Sequence, residues 1–269
     1  MNDKLQAALN EVNKRFGKGS IVAMNDHAAA EPCDVISTGS AQIDELTGIG
    51  GVPRGRIVEI FGPEAGGKTT LALQVIAQAQ ALDGGVVYID AEHALNVDYA
   101  RALGVDTDKM LISQPESGED GLEIALTMIQ SHQIMVVVVD SVAALVPRHE
   151  LEGDIGDAQM GLQARMMGQA MRKMTKAVSD SNCCLIFINQ IREKLGVMFG
   201  NPETTSGGKA LKFYASLRID IRRISQIKKG EDILGQNVKC KIIKNKLSAP
   251  YRDDEIKLIY GLGFVNEEE

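Results

Sequence analysis

A glycine-rich turn between an apolar run and a helix-like stretch constrains the fold of this chain more than any other segment. Residues 62–69 read Gly-Pro-Glu-Ala-Gly-Gly-Lys-Thr, and the apolar run at 57–61 directly precedes them. This is a complete P-loop pattern in the strand–loop–helix setting that the pattern needs. Backbone N–H groups in such a turn can surround a phosphate. The segment therefore predicts a nucleoside triphosphate site in an α/β fold.

The side chains of the P-loop have separate expected roles. Lys68 is placed to meet the β- and γ-phosphate oxygens, and the Thr69 hydroxyl is placed to meet Mg²⁺. A plain strand-to-helix turn is the alternative, although such turns are common without the Lys-Thr pair. The predicted nucleotide-binding residues of the turn are Gly62, Pro63, Glu64, Ala65, Gly66, Gly67, Lys68, Thr69 and Thr70.

Apolar runs alternate with helix-like stretches along most of the chain. The predicted strands are 57–61, 86–90, 111–113, 134–140 and 184–189, and the predicted helices are 69–82, 98–103, 121–131 and 161–178. This alternation is typical of a parallel sheet with helices on both faces. After residue 208, a short helix at 209–215 precedes strands at 217–224, 238–244 and 255–260, which we expect to extend the sheet in antiparallel fashion. The predicted fold class is doubly wound, mostly parallel α/β.

An N-terminal amphipathic helix is predicted at 2–16, because Leu5, Leu9, Val12 and Phe16 follow helical spacing. It ends at the glycine-containing joint 17–19, so we assign residues 1–32 to a helix and linker and residues 33–269 to the main core. The helix could pack on its own core or dock on a neighbouring subunit. The pattern favours neither.

Composition places the chain among ordinary globular proteins. Hydrophobic residues make up 44% of its 269 residues, yet no stretch is long enough to span a membrane and no signal-peptide core follows the N-terminus. We therefore expect a cytoplasmic protein without a membrane partner. Its four cysteines form no C-x-x-C pair, which argues against a zinc site or a disulfide framework.

Charge is distributed unevenly along the chain. The formal net charge is −7, but residues 165–246 carry 17 Lys and Arg against 6 Asp and Glu. A basic region on an acidic protein is a plausible footprint for nucleic acid. A solvated face with scattered ion pairs remains the alternative.

Two carboxylates follow strands of the predicted sheet. The apolar run 134–139 ends in Asp140-Ser141, where an Asp beside the P-loop strand can hold a Mg²⁺-bound water. Thr69 and Asp140 are thus the predicted metal residues, acting partly through water. Glu92 follows the strand 86–90 at the same rim and is the candidate for activating the attacking water. Its alternative is a surface cap or ion pair.

A third side chain, Gln190, follows the strand 184–189. A neutral amide there can hydrogen-bond a γ-phosphate and lose that bond when the phosphate leaves, which would make it a switch. The segments 147–160 and 191–208 come after two of these strands and are rich in glycine or polar residues. We predict that both are functional loops on one face of the domain.

Several longer segments resemble the core of bacterial RecA recombinases, from about residue 2 to residue 263. The matching segments are GPEAGGKTT at 62–70, IDAEHAL at 89–95, VVDSVAAL at 138–145, GLQARMMGQAMRK at 161–173, LIFINQIR at 185–192, GVMFGNPETTSGGKALKFYAS at 196–216 and KNKLSAP at 244–250. The segment 196–216 discriminates most, because generic P-loop ATPases have nothing similar. The family's small C-terminal domain and acidic tail have no counterpart in residues 1–269.

The resemblance implies a DNA-dependent ATPase that uses ATP and Mg²⁺ and takes part in DNA repair and the SOS response. Such a protein forms a helical filament of its own copies on single-stranded DNA, pairs it with homologous double-stranded DNA and exchanges strands. A repressor of the SOS response that cleaves itself is a further implied partner. Duplex capture and self-restraint are the properties that the family's C-terminal region would affect.

Residue roles also follow from the resemblance. Lys68, Thr69, Thr70, Asp140 and Ser141 would hold Mg-ATP, with Tyr99 against the adenine. Glu92 would activate water, Gln190 would sense the γ-phosphate, and Lys244 and Lys246 would reach the phosphates of the neighbouring protomer. The implied DNA-binding residues are Met160, Arg165, Arg172, Val197, Phe199, Gly207, Gly208 and Lys209. The implied subunit-interface residues are Lys212, Phe213 and Arg218, together with the N-terminal helix.

Three positions depart from the usual pattern of the family. Ala65-Gly66 stands where two serines are usual, Asn96-Val97 stands where Asp-Pro is usual, and Lys209 stands where Asn is common. These changes bear on loop rigidity, adenine selectivity and salt dependence respectively. Two other readings stay open: a RecA-fold ATPase of the ring helicase type, and a weakly hydrolysing, nucleotide-regulated DNA-binding protein.

Overall fold

The computed structural model describes residues 2–22, 33–154, 161–193 and 202–266. The chain divides into two compact units, Met1–Asp34 and Val35–Glu269. The first unit contains helix α1 (Asp3–Phe16), which begins where the Asn2 side chain accepts a hydrogen bond from the Lys4 N–H at 2.8 Å. None of its residues is buried, and Leu5 and Phe16 are 51% and 67% exposed. The predicted helix therefore exists, and within this unit its apolar side chains form no buried core.

The second unit contains the other helices and all the strands of the described residues. Its helices are α2 (Ala41–Thr47), α3 (Lys68–Ala81), α4 (Val97–Ala102), α5 (Gly118–Gln130), α6 (Arg148–Glu152), α7 (Leu162–Ser181) and α8 (Ala210–Tyr214), with a 3-10 turn at Val142–Ala144. Its strands are β1 (Val35–Ile36), β2 (Val52–Pro53), β3 (Ile57–Gly62), β4 (Gly85–Asp90), β5 (Met110–Ser113), β6 (Ile134–Asp140), β7 (Cys184–Glu193), β8 (Glu203–Thr205), β9 (Leu217–Lys229), β10 (Asp232–Asn245), β11 (Asp253–Ile259) and β12 (Gly263–Phe264).

A single large sheet organises this unit. Its strand order is β12-β11-β10-β9-β3-β7-β6-β4-β5, and β8 pairs with the end of β7. The strands from β9 to β5 in this order run parallel, whereas β10, β11 and β12 continue the sheet in antiparallel fashion. The predicted doubly wound, mostly parallel α/β fold with an antiparallel extension is confirmed.

Hydrophobic cores cover both faces of the sheet, as buried parallel strands require. One core joins alternate strand residues such as Val86 and Tyr88 to apolar residues of α2, α3 and α4. The other joins Val87 and Ile89 to apolar residues of α5, α7 and α8. Successive strand residues therefore enter opposite cores. This explains why the β4 and β6 segments read as continuous apolar runs.

The antiparallel extension is longer than the sequence predicts. The strands expected at 217–224 and 238–244 are β9 and β10, which form a hairpin that pairs as far as Lys229 and Asp232. The outer half of this hairpin exposes Ile224, Ile233 and Leu234 by 40% or more. These residues have no buried face, and apolar and polar residues do not alternate regularly among them. Backbone pairing across the turn at Gly230 holds them, so side-chain periodicity could not reveal them.

The two predicted loops are partly regular structure. Within 147–160, residues 148–152 form α6, and within 191–208 the end of β7 pairs with β8, Ile191 opposite Thr205. The helix predicted at 121–131 instead begins at Gly118, because the Ser117 hydroxyl caps it by accepting from the Asp120 N–H. The sequence predicts the start of α5 too late, because Gly118 and Gly121 are typical of irregular structure.

Candidate functional site

The carboxyl ends of four neighbouring strands form one rim of the sheet. Gly62 at the end of β3 lies opposite Gln190 in β7, and Asp90 in β4 lies opposite Asp140 in β6. In open α/β sheets, ligands bind outside the carboxyl ends of the strands. The register therefore brings the P-loop, Asp140, Gln190 and the turn that carries Glu92 to the same edge, as the sequence predicts.

The P-loop is closely packed against the antiparallel extension. A Cβ at Gly62 would lie 2.0 Å from the Ile221 carbonyl oxygen, and a Cβ at Gly67 would lie 2.4 Å from Leu258. Both glycines have positive φ angles, 155° and 100°. Glycine is required at these positions because a side chain would collide with β9 or β11. Ala65 also has a positive φ of 54°, and Gln236 donates to its carbonyl oxygen at 2.9 Å.

Lys68 lies inside the P-loop, where 9% of the residue is exposed. Its Nζ donates to the carbonyl oxygens of Gly62 at 3.1 Å and Pro63 at 2.6 Å. Burial lowers the pKa of this ammonium, while the nearby carboxylates of Asp140 and Glu92 oppose that shift. The loop thus holds a cation that phosphate oxygens could bind in place of the two carbonyls.

Asp140 accepts hydrogen bonds from two hydroxyl groups at one carboxylate oxygen. Thr69 donates to Asp140 Oδ2 at 2.9 Å, and Tyr88 donates to the same oxygen at 2.7 Å. Burial raises the pKa of Asp140, and these two hydrogen bonds act in the opposite direction. Tyr88 is a site residue that the sequence did not identify, because a tyrosine in an apolar strand reads as a core aromatic.

The oxygen donors at this place suit a hard divalent cation. Mg²⁺ prefers oxygen ligands and retains several waters, so a threonine hydroxyl and one carboxylate are typical protein contributions. Among the described residues, no group of three or more His, Cys, Asp or Glu side chains could hold a metal ion. The chemistry of Thr69 and Asp140 therefore fits a metal that phosphate oxygens and water help to hold. A metal cage made by protein alone does not fit.

Glu92 is connected to both neighbouring strand ends. Its Oε1 accepts a short hydrogen bond from the Ser141 hydroxyl and another from Gln190 Nε2 at 3.0 Å. The turn that carries it is anchored by buried Asp90, which accepts from the Ala94 and Leu95 N–H groups and from the Gln114 amide. Asp90 is another residue that the sequence did not single out. The predicted catalytic carboxylate and the predicted phosphate sensor are thus in direct contact.

A pocket of about 340 Å³ adjoins the P-loop and includes Tyr99. The Tyr99 hydroxyl lies 2.9 Å from the Thr70 hydroxyl, which keeps the aromatic ring beside the start of α3. Asn96 still caps α4, since its side chain accepts from the Tyr99 N–H at 2.9 Å. The Asn96-Val97 departure therefore preserves the start of this helix. Gln236, Leu258 and Tyr260 also line the pocket, and the sequence did not predict them.

Lys244 and Lys246 bind the last carbonyl groups of α8. Lys244 Nζ donates to the Lys212 and Phe213 carbonyl oxygens at 2.7 and 2.9 Å, and Lys246 Nζ donates to that of Phe213 at 3.4 Å. Burial and, to a smaller extent, the neighbouring cations Lys246 and Arg218 lower the pKa of Lys244 to about 8. Phe213 is 70% exposed beside them. These lysines lie with the predicted interface residues at α8.

Arg218 is held inside the unit, although it was predicted at the subunit interface. Its Nε donates to fully buried Glu59 at 2.5 Å, and its guanidinium lies 4.5 Å from the centre of the Phe61 ring. Asn189 donates to the other oxygen of the same carboxylate at 2.9 Å. This internal network makes Arg218 a support for β3, β7 and β9. Its interface role stays a prediction.

The predicted DNA-binding residues within the described part of the chain lie in the first half of α7 or follow the second loop. Arg165 and Arg172 are exposed and seven residues apart, so they share one face of that helix. A Cβ at Gly208 would lie 2.7 Å from the Ala164 Cβ, which places the end of the second predicted loop against the first turn of α7. Exposed Lys209 follows directly. Met160, Val197 and Phe199 lie outside the described residues.

Comparison with known proteins agrees with this geometry. The family model of the RecA N-terminal domain matches residues 3–265. The chain is 56% identical over 263 residues to Protein RecA of Citrifermentans bemidjiense, covering 98% of this chain and 78% of the relative. It is 57% identical over 256 residues to Protein RecA of Syntrophus aciditrophicus, covering 95% and 75%, and 56% identical over 263 residues to that of Nocardia farcinica, covering 98% and 76%. The chain belongs to the RecA family.

Proposed function

We infer that the rim of this recombinase is an ATPase site that becomes complete when protomers assemble on single-stranded DNA. Family membership establishes homologous recombination and DNA repair as its function, and it does not favour the ring helicase alternative. The contact of Glu92 with both Gln190 and Ser141 carries the proposal, because it joins the predicted catalytic group to the predicted phosphate sensor.

In the proposed site, the P-loop amides and Lys68 bind the β- and γ-phosphates of ATP. Thr69 and Asp140 would hold Mg²⁺, which when bound neutralises charge on the phosphate oxygens. Tyr99 and the pocket beside α3 would receive the adenine, because the pocket is continuous with the P-loop residues. The oxygen donors and the buried cation are what support this assignment.

We propose that Glu92 accepts a proton from the water that attacks the γ-phosphorus. Its carboxylate is exposed, yet Ser141 and Gln190 hold it at the rim beside the end of the P-loop strand. Gln190 would exchange its hydrogen bond to Glu92 for one to a γ-phosphate oxygen. Loss of that phosphate would return the amide to Glu92, so one side chain would report the nucleotide state to β7.

Assembly would supply the remaining cations. Lys244 and Lys246 lie at α8 beside exposed Phe213, and the hydrogen bonds described for them go to α8. We propose that they contact the phosphates bound by an adjacent protomer, as an arginine finger does. Strand β5 is an edge of the sheet, and its Leu111 and Ile112 are 52% and 50% exposed. An apolar sheet edge is a surface at which a second copy can pair.

Single-stranded DNA would bind at the first loop, which precedes α7, and at the second loop, which follows β7. Exposed Arg165, Arg172 and Lys209 can contact phosphates, and apolar residues of the second loop, Val197 and Phe199, can insert between bases. Met160 belongs to the same proposal. Homologous double-stranded DNA and a self-cleaving repressor of the SOS response are further proposed partners. In the described part of the chain, no helix is long and apolar enough to cross a membrane, and the cytoplasmic setting stays a prediction.

Electron microscopy tests the assembly proposal directly. We expect regular helical filaments on circular single-stranded DNA in the presence of Mg²⁺ and a non-hydrolysable ATP analogue, and far fewer filaments with ADP. Closed rings that form equally with and without DNA would instead support the helicase reading. A weakly hydrolysing DNA-binding protein would give filaments but no DNA-stimulated turnover.

The double substitution Lys244→Ala and Lys246→Ala is expected to suppress DNA-stimulated hydrolysis while ATP binding by the single protomer persists. Mixing this variant with Glu92→Gln protein should restore activity, since each variant supplies the half that the other lacks. Random mixing of equal amounts would make about one quarter of the interfaces complete. The measurement is the ATPase rate against mixing ratio. Two variants that stay inactive in every mixture, although they assemble together, would exclude action in trans.

The lowered pKa of Lys244 predicts a pH dependence for the same reaction. The ammonium is the useful form, and with a pKa of about 8 it loses its proton as the pH rises through that value. Because the free protomer must carry this charge to meet a neighbour's phosphates, assembly, and with it DNA-stimulated hydrolysis at limiting protein concentration, is expected to weaken above about pH 8. Lys244→Arg is the matched variant, because a guanidinium keeps its charge throughout this range. An active arginine variant with an unchanged alkaline decline would show that Lys244 does not cause it.

A further inference from the structure

One carboxamide, that of Gln163 in the first turn of α7, joins three separate segments. Its Nε2 donates to the Val142 carbonyl oxygen at 2.9 Å and to the Leu145 carbonyl oxygen at 3.1 Å. Its Oε1 accepts from the Gly207 N–H at 3.1 Å. An amide has both donors and acceptors, so few other side chains could make all of these contacts.

The first of these segments belongs to the nucleotide site. Val142 directly follows Ser141, whose hydroxyl binds Glu92, and both follow Asp140 at the end of β6. Val142 is fully buried in the core beneath α7. A packed turn therefore connects the Asp140–Ser141 segment to the Gln163 amide, and close packing of this kind can transmit a displacement.

The second segment belongs to the proposed DNA-binding region. Gly207 lies between β8 and α8, and a Cβ there would lie 2.7 Å from Val142 and 3.2 Å from Met167. The same glycine therefore packs directly on the turn to which Gln163 binds. Arg165, two residues after Gln163, is one of the exposed side chains that we assign to DNA. Both proposed DNA segments thus meet at this amide.

We propose that Gln163 is a positioning residue that couples nucleotide binding to DNA binding. By holding the turn after β6, the start of α7 and Gly207 together, it makes these segments move as one body. Without it, each could adopt its own position, and binding at one site would no longer favour the arrangement needed at the other. This proposal rests on the proposed function and adds a second connection to the one between Glu92 and Gln190.

The proposal predicts a specific loss of coupling. The coupling factor is the ratio of the Kd for single-stranded DNA without and with a non-hydrolysable ATP analogue. Linkage requires the same ratio for the analogue without and with DNA. In Gln163→Met, which keeps the length of the side chain without its hydrogen bonds, both ratios are expected to fall by about fivefold or more. Affinity for the analogue in the absence of DNA should change by less than about twofold, because Gln163 touches no predicted nucleotide-binding residue.

The experiment measures both ratios by fluorescence anisotropy, with labelled oligo-dT and with a labelled analogue, in the full chain. Gln130→Met is the matched control, since Gln130 is exposed in the last turn of α5, a helix that carries no predicted DNA-binding or nucleotide-binding residue. Gln163→Glu is a second variant, whose carboxylate cannot donate to Val142 and Leu145 and should also lose coupling. Thermal unfolding verifies that each variant folds.

Unchanged coupling factors in two folded Gln163 variants would overturn the proposal. A parallel loss of both affinities with unchanged factors would also overturn it, since that result indicates a merely structural role. Equal losses in Gln163→Met and Gln130→Met would point to a general effect of replacing a glutamine by methionine and likewise reject it. A parent protein that shows no coupling at all would contradict the proposed function itself, which is a distinguishable result.

Discussion

Replacing Lys68 by alanine is expected to reduce ATP affinity by about a hundredfold or more, because the phosphates would lose a buried cation. In the structure, the Lys68 ammonium is held by the carbonyl oxygens of Gly62 and Pro63 within the P-loop. Binding would replace these neutral acceptors by charged phosphate oxygens, which form stronger hydrogen bonds. No other lysine or arginine of the described residues lines the adjoining pocket. Titration calorimetry with ATP and Mg²⁺ measures the change.

Lys109→Ala is the control for the loss of a positive charge. Lys109 is exposed and pairs with Asp106 on the surface, so its removal should leave ATP affinity unchanged. Circular dichroism should show the same secondary structure for both variants. Undiminished ATP binding by a folded Lys68→Ala protein would mean that the P-loop assignment is wrong.

Glu92→Gln is expected to abolish turnover while it leaves ATP-dependent DNA binding intact. Removal of a general base typically slows a reaction by about a hundredfold or more. The amide that replaces the carboxylate has the same shape and retains an oxygen that can accept from Ser141 and Gln190, so the rim should keep its geometry. Single-turnover hydrolysis and DNA binding, measured on the same preparation, separate the chemical step from assembly.

Asp98→Asn provides the matched control for this substitution. Its carboxylate is largely exposed at the start of α4. Neutralising it should therefore change neither the rate of hydrolysis nor the affinity for DNA. If Glu92→Gln retained normal turnover, another group would have to activate the water. If it lost DNA binding as well, Glu92 would be needed for the assembled state rather than for chemistry.

The arrangement of the rim could be predicted because it follows from strand polarity. Residues that end parallel strands must meet at one edge, so the sequence alone assigns Gly62, Asp140 and Gln190 to a common site. The same reasoning predicts that Glu92, which follows the end of β4, lies at this edge. The fold class followed from alternation, since strands buried on both faces are continuously apolar.

Other parts of the site depend on contacts between distant segments. Tyr88 binds Asp140, and Gln236 binds Ala65, across 52 and 171 residues of sequence. Nothing local distinguishes these side chains from a core aromatic or a polar strand residue. The role that we propose for Gln163 also depends on distant contacts, because its amide binds Val142 and Gly207 only in the folded chain. Patterns in a single sequence indicate which face of a helix or strand is buried and where that element ends. The hydrogen-bond partners of a side chain can be identified only in the folded chain.

The two loop regions show the same limit. The end of β7 pairs with β8, and this pairing is made across a segment that reads as an irregular loop. Arg222 adds an ion pair to Glu203 at 2.6 Å, which ties the start of β8 to β9. Glycine-rich composition predicted an irregular connection, but backbone pairing and charge give its ends fixed positions. The second loop, to which we assign DNA binding, therefore begins and ends in regular structure next to the proposed ATP site.

The ATPase rate of the unmodified chain with and without single-stranded DNA tests the central claim most directly. If the site is completed by Lys244 and Lys246 of an adjacent protomer, DNA should raise the rate by roughly tenfold or more, since cations supplied in trans can have effects larger than this. The stimulated rate should also rise more steeply than linearly with protein concentration at low occupancy. A rate that is the same with and without DNA, and proportional to protein concentration, would contradict a site completed by assembly.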